Sequence, residues 1–468
     1  MRNVAEMLRL AVLSRPDAAA ITYRDETLTW SDLYARAHLL RGRLVEAGVG
    51  RGDVVAIHAE HSMAQVVAIF GTVMADAVFT IINPLLKQDQ IDHQLSDGDA
   101  TAVVATSTFA DALRPFCELR GMSAHVVDLG GLPEGVGAAD VPTVDASVPT
   151  THNVPTDAAS IIYTSGSTGW AKGVVIPHRT LTDGARIVSA YLGITQDDVL
   201  LGLLPFNFDY GLNQLMSAVH QRSRIVVHNF AFPRDLVDVL VSEHVTGLAA
   251  VPSLWPRLFD PRLFDRSQKP DFEHLRYVTT AGGTHSQELL RDLVEFFPTS
   301  DVIVMYGLTE SFRSTYLPSS ELFNRPGSIG RAVPEVEILV LNEDGSPCAP
   351  GERGELVHRG AFVTYGYLND PELTAQKFIH LDTAGPGCLP EIAVRSGDIV
   401  SLDEDGFIYF HGRADMQMKS RGYRVSPTEV EEAALRFSGV SHAAVFGLPD
   451  AEMGESVNLA YSTYSGAV

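Results

Sequence analysis

From Ala18 to Gly307 the chain alternates short apolar runs with longer amphipathic ones, and this alternation limits the fold more than any other feature. The runs "DVVAIHA" (53–59), "VLLGLLPF" (199–206), "SRIVVHNF" (223–230), "VTGLAAVP" (245–252), "LRYVTTAGG" (275–283) and "DVIVMYG" (301–307) have strand length. "AAAITYRDETLTW" (18–30) reads as two short strands around a polar turn. Between such runs, "SDLYARAHLLRGRLVEAG" (31–48) places Leu33, Leu39, Leu40, Leu44 and Val45 mostly at helical spacing, with Ser31 as the expected N-cap and Gly48 as the expected stop. "SMAQVVAIFGTVMADA" (62–77) reads as a buried helix. Strand and helix alternating in this way predict an α/β fold with a largely parallel sheet.

After about Arg325 the texture changes. "VEILVLNEDGSPC" and "DIVSLDEDGFIYFHGR" each set an Asp-Gly turn between strand-like runs, a hairpin signal. Further on, Ser426 and Glu429 have capping-box spacing, with Pro427 at the first helical position, and the strand-like "SHAAVFGL" follows. The expected organisation is an α/β core over 1–325, a β-rich subdomain over 326–412, and a hinge with a small, incomplete α+β domain over 413–468. About fifty residues is little for a domain that folds alone.

Composition removes several function classes. The 468 residues include 58 acidic and 35 basic ones, a formal net charge of -23, and such a field repels a nucleic-acid backbone. Three cysteines, Cys117, Cys348 and Cys388, without CxxC spacing do not suggest a disulfide framework or a zinc site. Glu6 and Arg9 interrupt the apolar N-terminus, which reads as an amphipathic helix ending near Pro16 rather than a signal peptide. No uncharged apolar run of about 18 residues suggests a membrane span, so a cytoplasmic protein is expected.

One loop asks for a ligand. "YTSGSTGWAKG" (163–173) lies between two strand-like runs and combines glycines, hydroxyls and a lysine. Glycines let backbone N–H groups approach an anion closely, and Lys172 adds a positive charge. The loop lacks the Gly-Lys-Ser/Thr ending of a Walker A motif, because Ala171 precedes the lysine and Gly173 follows it. A flexible glycine–serine surface loop is the alternative reading.

The loop resembles the phosphate loop of adenylate-forming enzymes: acyl-CoA synthetases, adenylation domains of nonribosomal peptide synthetases, and luciferases. Ala171 stands where that pattern usually has proline. "VMYGLTES" (304–311), "VRSGDIV" (394–400) and "GRADMQMKSRGYRVSPTEVE" (412–431) resemble further motifs of the family in the family's order, as do "LTWSDL" and "GVGRGDVVAI" near the start. The resemblance spans essentially the whole chain.

It implies a two-step reaction in which a carboxylate attacks the α-phosphate of ATP and a thiol then takes the acyl group. By resemblance, Thr164, Ser165, Gly166, Ser167, Thr168, Gly169 and Lys172 hold the β- and γ-phosphates. Tyr306 lies against adenine, and Gly282, Gly283 and Gly307 bring backbone close to nucleotide and acid. Thr309 contacts the α-phosphate and Glu310 helps hold Mg²⁺, a hard cation that prefers oxygen. Asp398 accepts from the ribose hydroxyls, and Arg413 binds the ribose–phosphate region. Asp415 matches the hinge, and Lys419 follows it as a catalytic candidate. Taken singly, Tyr306 reads equally as a core aromatic, Glu310 as a helix-start acid and Asp398 as a turn residue.

The acid pocket is expected from Phe208, Asp209, Tyr210, Asn213, Gly283, Gly307, Phe312 and Arg313. In amino-acid adenylation domains the segment matching "LPFNFDYGLNQL" (204–215) has Phe-Asp, and that Asp grips the substrate ammonium. Phe208-Asp209 stands in register. A carboxylate among apolar residues requires a cation, so the resemblance implies that Asp209 meets a substrate with an α- or β-amino group. If Arg313 neutralises it instead, a plain acyl or aryl acid fits, and "FDYGLNQL" and "FRSTYLP" also resemble acyl ligases associated with exosortase gene clusters. A carrier protein or coenzyme A would accept the product. The family places a further lysine near its C-terminus, whereas Lys419 is the last lysine here. A fragment of a longer enzyme is expected, with a weakly catalytic ATP- and acid-binding protein as the alternative. Both readings predict slow adenylation by these 468 residues, and hydroxamate-trapping rates typical of the family would contradict them.

Overall fold

The computed structural model describes residues 3–119, 126–128, 151–164, 170–265, 269–283, 285–381, 391–414, 418–420, 423–425, 427–437, 439–450 and 454–463. Two sheets organise the main body. In the first, Val126–Asp128, Ala100–Ala105, Val54–His58, Val78–Ile81 and Ala158–Thr164 run parallel, and Lys172–Pro177 adds an antiparallel edge. In the second, Ala19–Tyr23, Arg224–Val227, Val199–Gly202, Gly247–Ala250, Tyr277–Thr280 and Asp301–Tyr306 run parallel, side by side. Strands covered on both faces need no polar side, which is why their sequences are continuous apolar runs.

Alternate residues in the second sheet enter different cores. Leu201, Val226, Leu248, Val278 and Val302 pack with the helices Pro233–Ser242, Trp255–Phe259 and Gln287–Phe296. Leu200, Ile225, Ala249, Tyr277 and Ile303 join the opposite core. Its helices, Val4–Ser14, Trp30–Glu46, Met63–Met74, His178–Leu192 and Asp209–Gln221, form a layer between the two sheets. Met63–Met74 touches strands of both, and a helix enclosed on all sides is apolar all round.

Two local expectations change. The helix expected to be capped by Ser31 starts at Trp30, and Thr29 is its cap, exchanging hydrogen bonds with Asp32 in a capping box. Trp30 is fully buried, and anchoring it moves the cap and the first turn two residues earlier. In "VEILVLNEDGSPC" the returning run makes only a bridge, Leu341 to Pro347, because proline offers no N–H to extend a ladder. Val336–Leu341 pairs instead with Arg353–Gly360.

Beyond Tyr306 the second sheet continues antiparallel through Thr315–Leu317, Ser328–Ala332, Ile408–Arg413, Glu391–Leu402, Arg353–Gly360 and Val336–Leu341. Strand direction therefore reverses at Thr315–Leu317, ahead of Arg325 where the composition changes. The Asp405–Gly406 turn joins Glu391–Leu402 to Ile408–Arg413 as a hairpin, as its sequence suggests. Met418–Ser420, Tyr423–Val425, Gly454–Thr463 and Val440–Asp450 form a separate four-stranded sheet. The helix Pro427–Leu435 starts at the expected proline, whereas Ser426 lies outside the described residues. Among the described residues no helix is long and apolar enough to cross a membrane.

Open α/β sheets bind ligands beyond the carboxyl ends of their strands. Here the turn after Val199–Gly202 leads into the helix Asp209–Gln221, and Gly211 lets that helix pack against 204–205. A Cβ at Gly211 would lie 2.3 Å from the Pro205 carbonyl oxygen, which is backbone and cannot swing aside. Gly211→Ala is therefore predicted to destabilise the protein by about 1–3 kcal/mol, the scale of overpacking. Denaturant unfolding checks this, and an unchanged midpoint would contradict it.

Candidate active site

Two connections at the carboxyl ends of parallel strands and one antiparallel hairpin surround a cavity of about 400 Å³. Gly282, Gly283 and His285 follow Tyr277–Thr280, Tyr306 and Gly307 end Asp301–Tyr306, and Asp398 and Arg413 come from the antiparallel hairpin. Asp398 and Arg413 are direct cross-strand partners, and Arg413 Nη1 lies 3.2 Å from Asp398 Oδ1. The Tyr306 hydroxyl donates to Asp398 Oδ2. Burial and this carboxylate push the Tyr306 phenol well above its ordinary value, so it stays a neutral donor. His285 hydrogen bonds the Thr280 hydroxyl at 3.0 Å, and burial lowers its imidazole to about 4, leaving it neutral near pH 7.

A second, smaller cavity of about 20 Å³ lies behind it, lined by Tyr210, Asn213, Thr279 and Met305 among others. Asp209, Tyr210 and Asn213 occupy the first turns of their helix, and the Tyr210 hydroxyl is 2.6 Å from Thr279 Oγ1. Gly282 lines the larger cavity and brings its backbone close to Phe208: a Cβ there would be 3.7 Å from the Phe208 ring. Gly307 allows the loop 307–313 to fold back, since its Cβ would lie 2.8 Å from the Phe312 carbonyl oxygen. Phe312 takes φ +54, and Ser314 N–H donates to the Tyr306 carbonyl at 3.0 Å, closing the loop. A non-glycine residue in the left-handed region persists only where its surroundings hold it.

This loop carries Arg313 into the interior. Arg313 is 2% exposed, and its guanidinium sits 4.8 Å over the Tyr210 ring. Asp209 is also buried, and burial pushes its carboxyl up to about 6. Arg313 opposes that rise through space and Glu310 adds to it. Yet Arg313 Nε and Nη2 have no hydrogen-bond partner among the described residues, so these two donors do not make the direct pairing with Asp209 that the sequence allowed.

At the loop that resembles a phosphate loop, Thr164 and Lys172 face each other in register across the hairpin Ala158–Thr164/Lys172–Pro177. Ser165, Gly166, Ser167, Thr168 and Gly169, between them, lie outside the described residues. Lys172 Nζ pairs with Asp370 Oδ2 at 2.9 Å, and Asp370 also caps the helix Pro371–Lys377 through Leu373 N–H. The Tyr367 hydroxyl donates to the Glu310 carboxylate, while Thr364 N–H and hydroxyl donate to the Glu310 carbonyl. The segment 364–370 thus holds both Lys172 and Glu310, next to buried Thr309. A larger cleft of about 830 Å³ shares Tyr367 and Asp370 but none of Gly282, Tyr306 or Asp398. Asp415 lies outside the described residues, and Lys419 falls on Met418–Ser420 in the separate sheet.

Among the described residues no group of three or more His, Cys, Asp or Glu side chains forms a metal cage. Mg²⁺ commonly takes one or two carboxylates with phosphate oxygens and water, and the donor set around Glu310 fits that mode. Sequence reasoning missed Tyr367, Asp370 and His285. Asp370 followed by Pro371 is legible as a helix start, but its tie to Lys172 crosses 198 residues.

A family model described as AMP-binding enzyme matches residues 8–368. Tyrocidine synthase 3 of Brevibacillus parabrevis is 32% identical over 471 residues, covering 100% of this chain and 7% of that protein. The dimodular nonribosomal peptide synthase of Bacillus subtilis is 29% identical, with 92% of this chain and 18% of that protein covered. This chain therefore spans a small part of the length of these relatives. Novobiocin biosynthesis protein H of Streptomyces niveus is 31% identical, covering 94% of this chain and 71% of that protein. Among solved structures, ATP-bound MatB from Rhodopseudomonas palustris superposes with a TM-score of 0.86 at 26% identity, covering 99% of this chain and 90% of that one. The o-succinylbenzoate coenzyme A synthetase of Bacillus subtilis, in complex with ATP and magnesium, has a TM-score of 0.82 at 24% identity, covers 99% of this chain and 90% of that one, and shares the fold.

Asp209 makes the site's pH signature. Its carboxyl holds a proton up to about 6 when folded, against about 3.9 when unfolded. The folded state therefore binds more protons between those values, and stability falls as pH rises from about 4 to about 6. Asp209→Asn is predicted to raise stability above pH 6 by on the order of 1–3 kcal/mol and to leave it unchanged below pH 4. Melting curves across pH check this, and a gain independent of pH would contradict it.

Proposed function

The chain belongs to the AMP-binding enzyme family, and from that premise we propose that it is an AMP-forming acid–thiol ligase. In the first step the acid's carboxylate oxygen bonds to the α-phosphorus of ATP, the bond to the β-phosphate bridging oxygen breaks, and pyrophosphate leaves. In the second a thiol gives up its proton and attacks the acyl carbon, and AMP leaves. The observation that carries this reading is the meeting of Tyr306, Asp398 and Arg413 around one cavity, with the Asp209 pocket beyond Gly282.

In this reading the Tyr306 ring lies against adenine and Asp398 accepts from the ribose hydroxyls, a role for which a carboxylate has the two oxygens. Gly283 and Gly307 admit the backbone close to nucleotide and acid. Lys172, Thr164 and the hydroxyls and glycines of 165–169 take the β- and γ-phosphates. Thr309 and Arg413 act on the α-phosphate and ribose, screening the repulsion between the two anions that must meet. Glu310 would hold Mg²⁺, which when bound neutralises charge on the phosphates. The segment 413–468 turns at Asp415 between the half-reactions and brings Lys419 to the site.

The acid is proposed to carry an amino group, with Asp209 as the ammonium anchor among Phe208, Tyr210, Asn213 and Phe312. Asp209 is buried, and a buried carboxylate without a cation is costly. A plain acid is the second reading, favoured by the through-space effect of Arg313 on Asp209. Relatives named as peptide synthases and neighbours named as coenzyme A synthetases support a carrier-protein thiol and coenzyme A as acceptors, respectively. The need for ATP agrees with work in the cytoplasm.

Hydroxylamine trapping across acids with and without an amino group tests this assignment. Amino-bearing acids are predicted to react in preference, and Asp209→Ala to lose that preference by about 10-fold or more, as expected for a buried charged contact. Plain acids reacting equally well in both proteins would give the site to the second reading. In Asp370→Asn the cap acceptor remains and the charge holding Lys172 goes. ATP is predicted to bind up to about 5-fold tighter, the range of a partly exposed ion pair. Weaker binding of ATP in a calorimeter would contradict a phosphate role for Lys172.

A further inference from the structure

The acid pocket holds an unmatched cation edge. Arg313 Nε and Nη2, the two donors without a partner among the described residues, lie on one side of the guanidinium. That side presents two parallel N–H groups, the geometry that grips a carboxylate with two hydrogen bonds. The guanidinium packs over Tyr210, the loop closed between Tyr306 and Ser314 fixes its backbone, and 2% exposure denies it water. Asn213, 3% exposed and lining the small cavity, has an Nδ2 that likewise lacks a partner among the described residues. Arg313 acts on Asp209 through space and Asn213 follows Asp209 by one helical turn, so these buried donors share the neighbourhood of that carboxylate.

A substrate with one carboxylate delivers that group to the α-phosphate and leaves Arg313 unsatisfied. A hydroxyl or aryl tail offers one acceptor at most and no charge. A second carboxylate offers two coplanar oxygens and the missing negative charge. Beside Asp209 alone it would be repelled, and an ammonium on the same molecule removes that repulsion. Tyr210, whose ring lies under the Arg313 guanidinium, and Asn213 line a cavity of about 20 Å³, room for one small group, and a short chain suits that space.

We propose that the acid activated here is a short amino dicarboxylic acid, whose ammonium faces Asp209 and whose second carboxylate is held by the Nε–Nη2 edge of Arg313, with Asn213 as a further donor. This rests on the amino-acid reading above and names its substrate class. Arg313 is then a specificity-determining residue that meets the end of the substrate remote from the reacting carboxylate.

The test is direct binding to the full chain in the presence of a non-hydrolysable ATP analogue. Aspartate and glutamate are compared with 2-aminobutyrate and norvaline, which keep the chain and amino group but lack the second carboxylate. At least one amino dicarboxylic acid is expected to bind about 10-fold or more tightly than its match, the scale of charge-assisted hydrogen bonds. Arg313→Met should bring that ratio close to one, and Arg313→Lys, which keeps the charge without the fork, should retain part of it. Binding of the analogue by each variant reports a folded nucleotide site, so a lost ratio is not a lost fold. Equal binding of both classes, a ratio that survives Arg313→Met, or tighter binding of asparagine and glutamine than of the acids overturns the inference alone. If no acid of either class, nor propionate or benzoate, binds while the analogue does, the inference and the acid-activation reading fall together.

Discussion

The site depends on one polar contact, the Tyr306 hydroxyl to Asp398. Tyr306 ends the last parallel strand, and Asp398 lies on an antiparallel hairpin 92 residues later. A carboxylate 6% exposed needs donors, and Tyr306 and Arg413 supply them from two directions. That need ties the antiparallel half of the sheet to the carboxyl ends of the parallel half. Tyr306 and Asp398 both line the cavity where the two halves meet. Gly282 and Gly307, without side chains, then let the backbone beside this joint approach Phe208 and the 312–313 backbone.

Charge is used locally, against the bulk of the molecule. A chain with net charge -23 repels an anionic nucleotide at long range. At physiological salt, screening sets in within about 8 Å, so the nearest side chains decide. Those are Lys172, Arg413 and Arg313, each positioned by an acidic or aromatic neighbour: Asp370, Asp398 and the Tyr210 ring. Two of the three are therefore already engaged by carboxylates, and a ligand's phosphates or hydroxyls compete with them. Arg313 differs in that its paired donors have no such competitor among the described residues.

Much of the fold was legible because burial on both faces leaves an unambiguous signature. Runs such as "GLAA" and "YVTT" are fully buried, and no alternative element of that length suits them. Errors arose where one residue competes with another for a local role. Trp30 took the first helical position and moved the cap to Thr29, and Pro347 ended a ladder that the Asp-Gly turn alone would have continued. Gly282, Tyr306, Asp398 and Arg413, which motif resemblance proposes for the nucleotide, border one cavity. What no motif carried was the set of ties between distant segments, Lys172 to Asp370 and Glu310 to Tyr367. Such pairs are fixed by tertiary packing, and neither periodicity nor spacing records them. The missing partner of Arg313 is illegible for the same reason, since a donor without a match is a property of surroundings.

The central claim is that this chain splits ATP between the α- and β-phosphates, on behalf of a carboxylate. Phosphorus NMR of the products, with the full chain, ATP, Mg²⁺ and a mixture of amino dicarboxylic, amino and plain acids, tests it most directly because it reads product identity rather than rate. The account predicts pyrophosphate, with AMP or an acyl-adenylate, appearing only when acid is present. ADP and inorganic phosphate, or pyrophosphate release indifferent to acid, would contradict it.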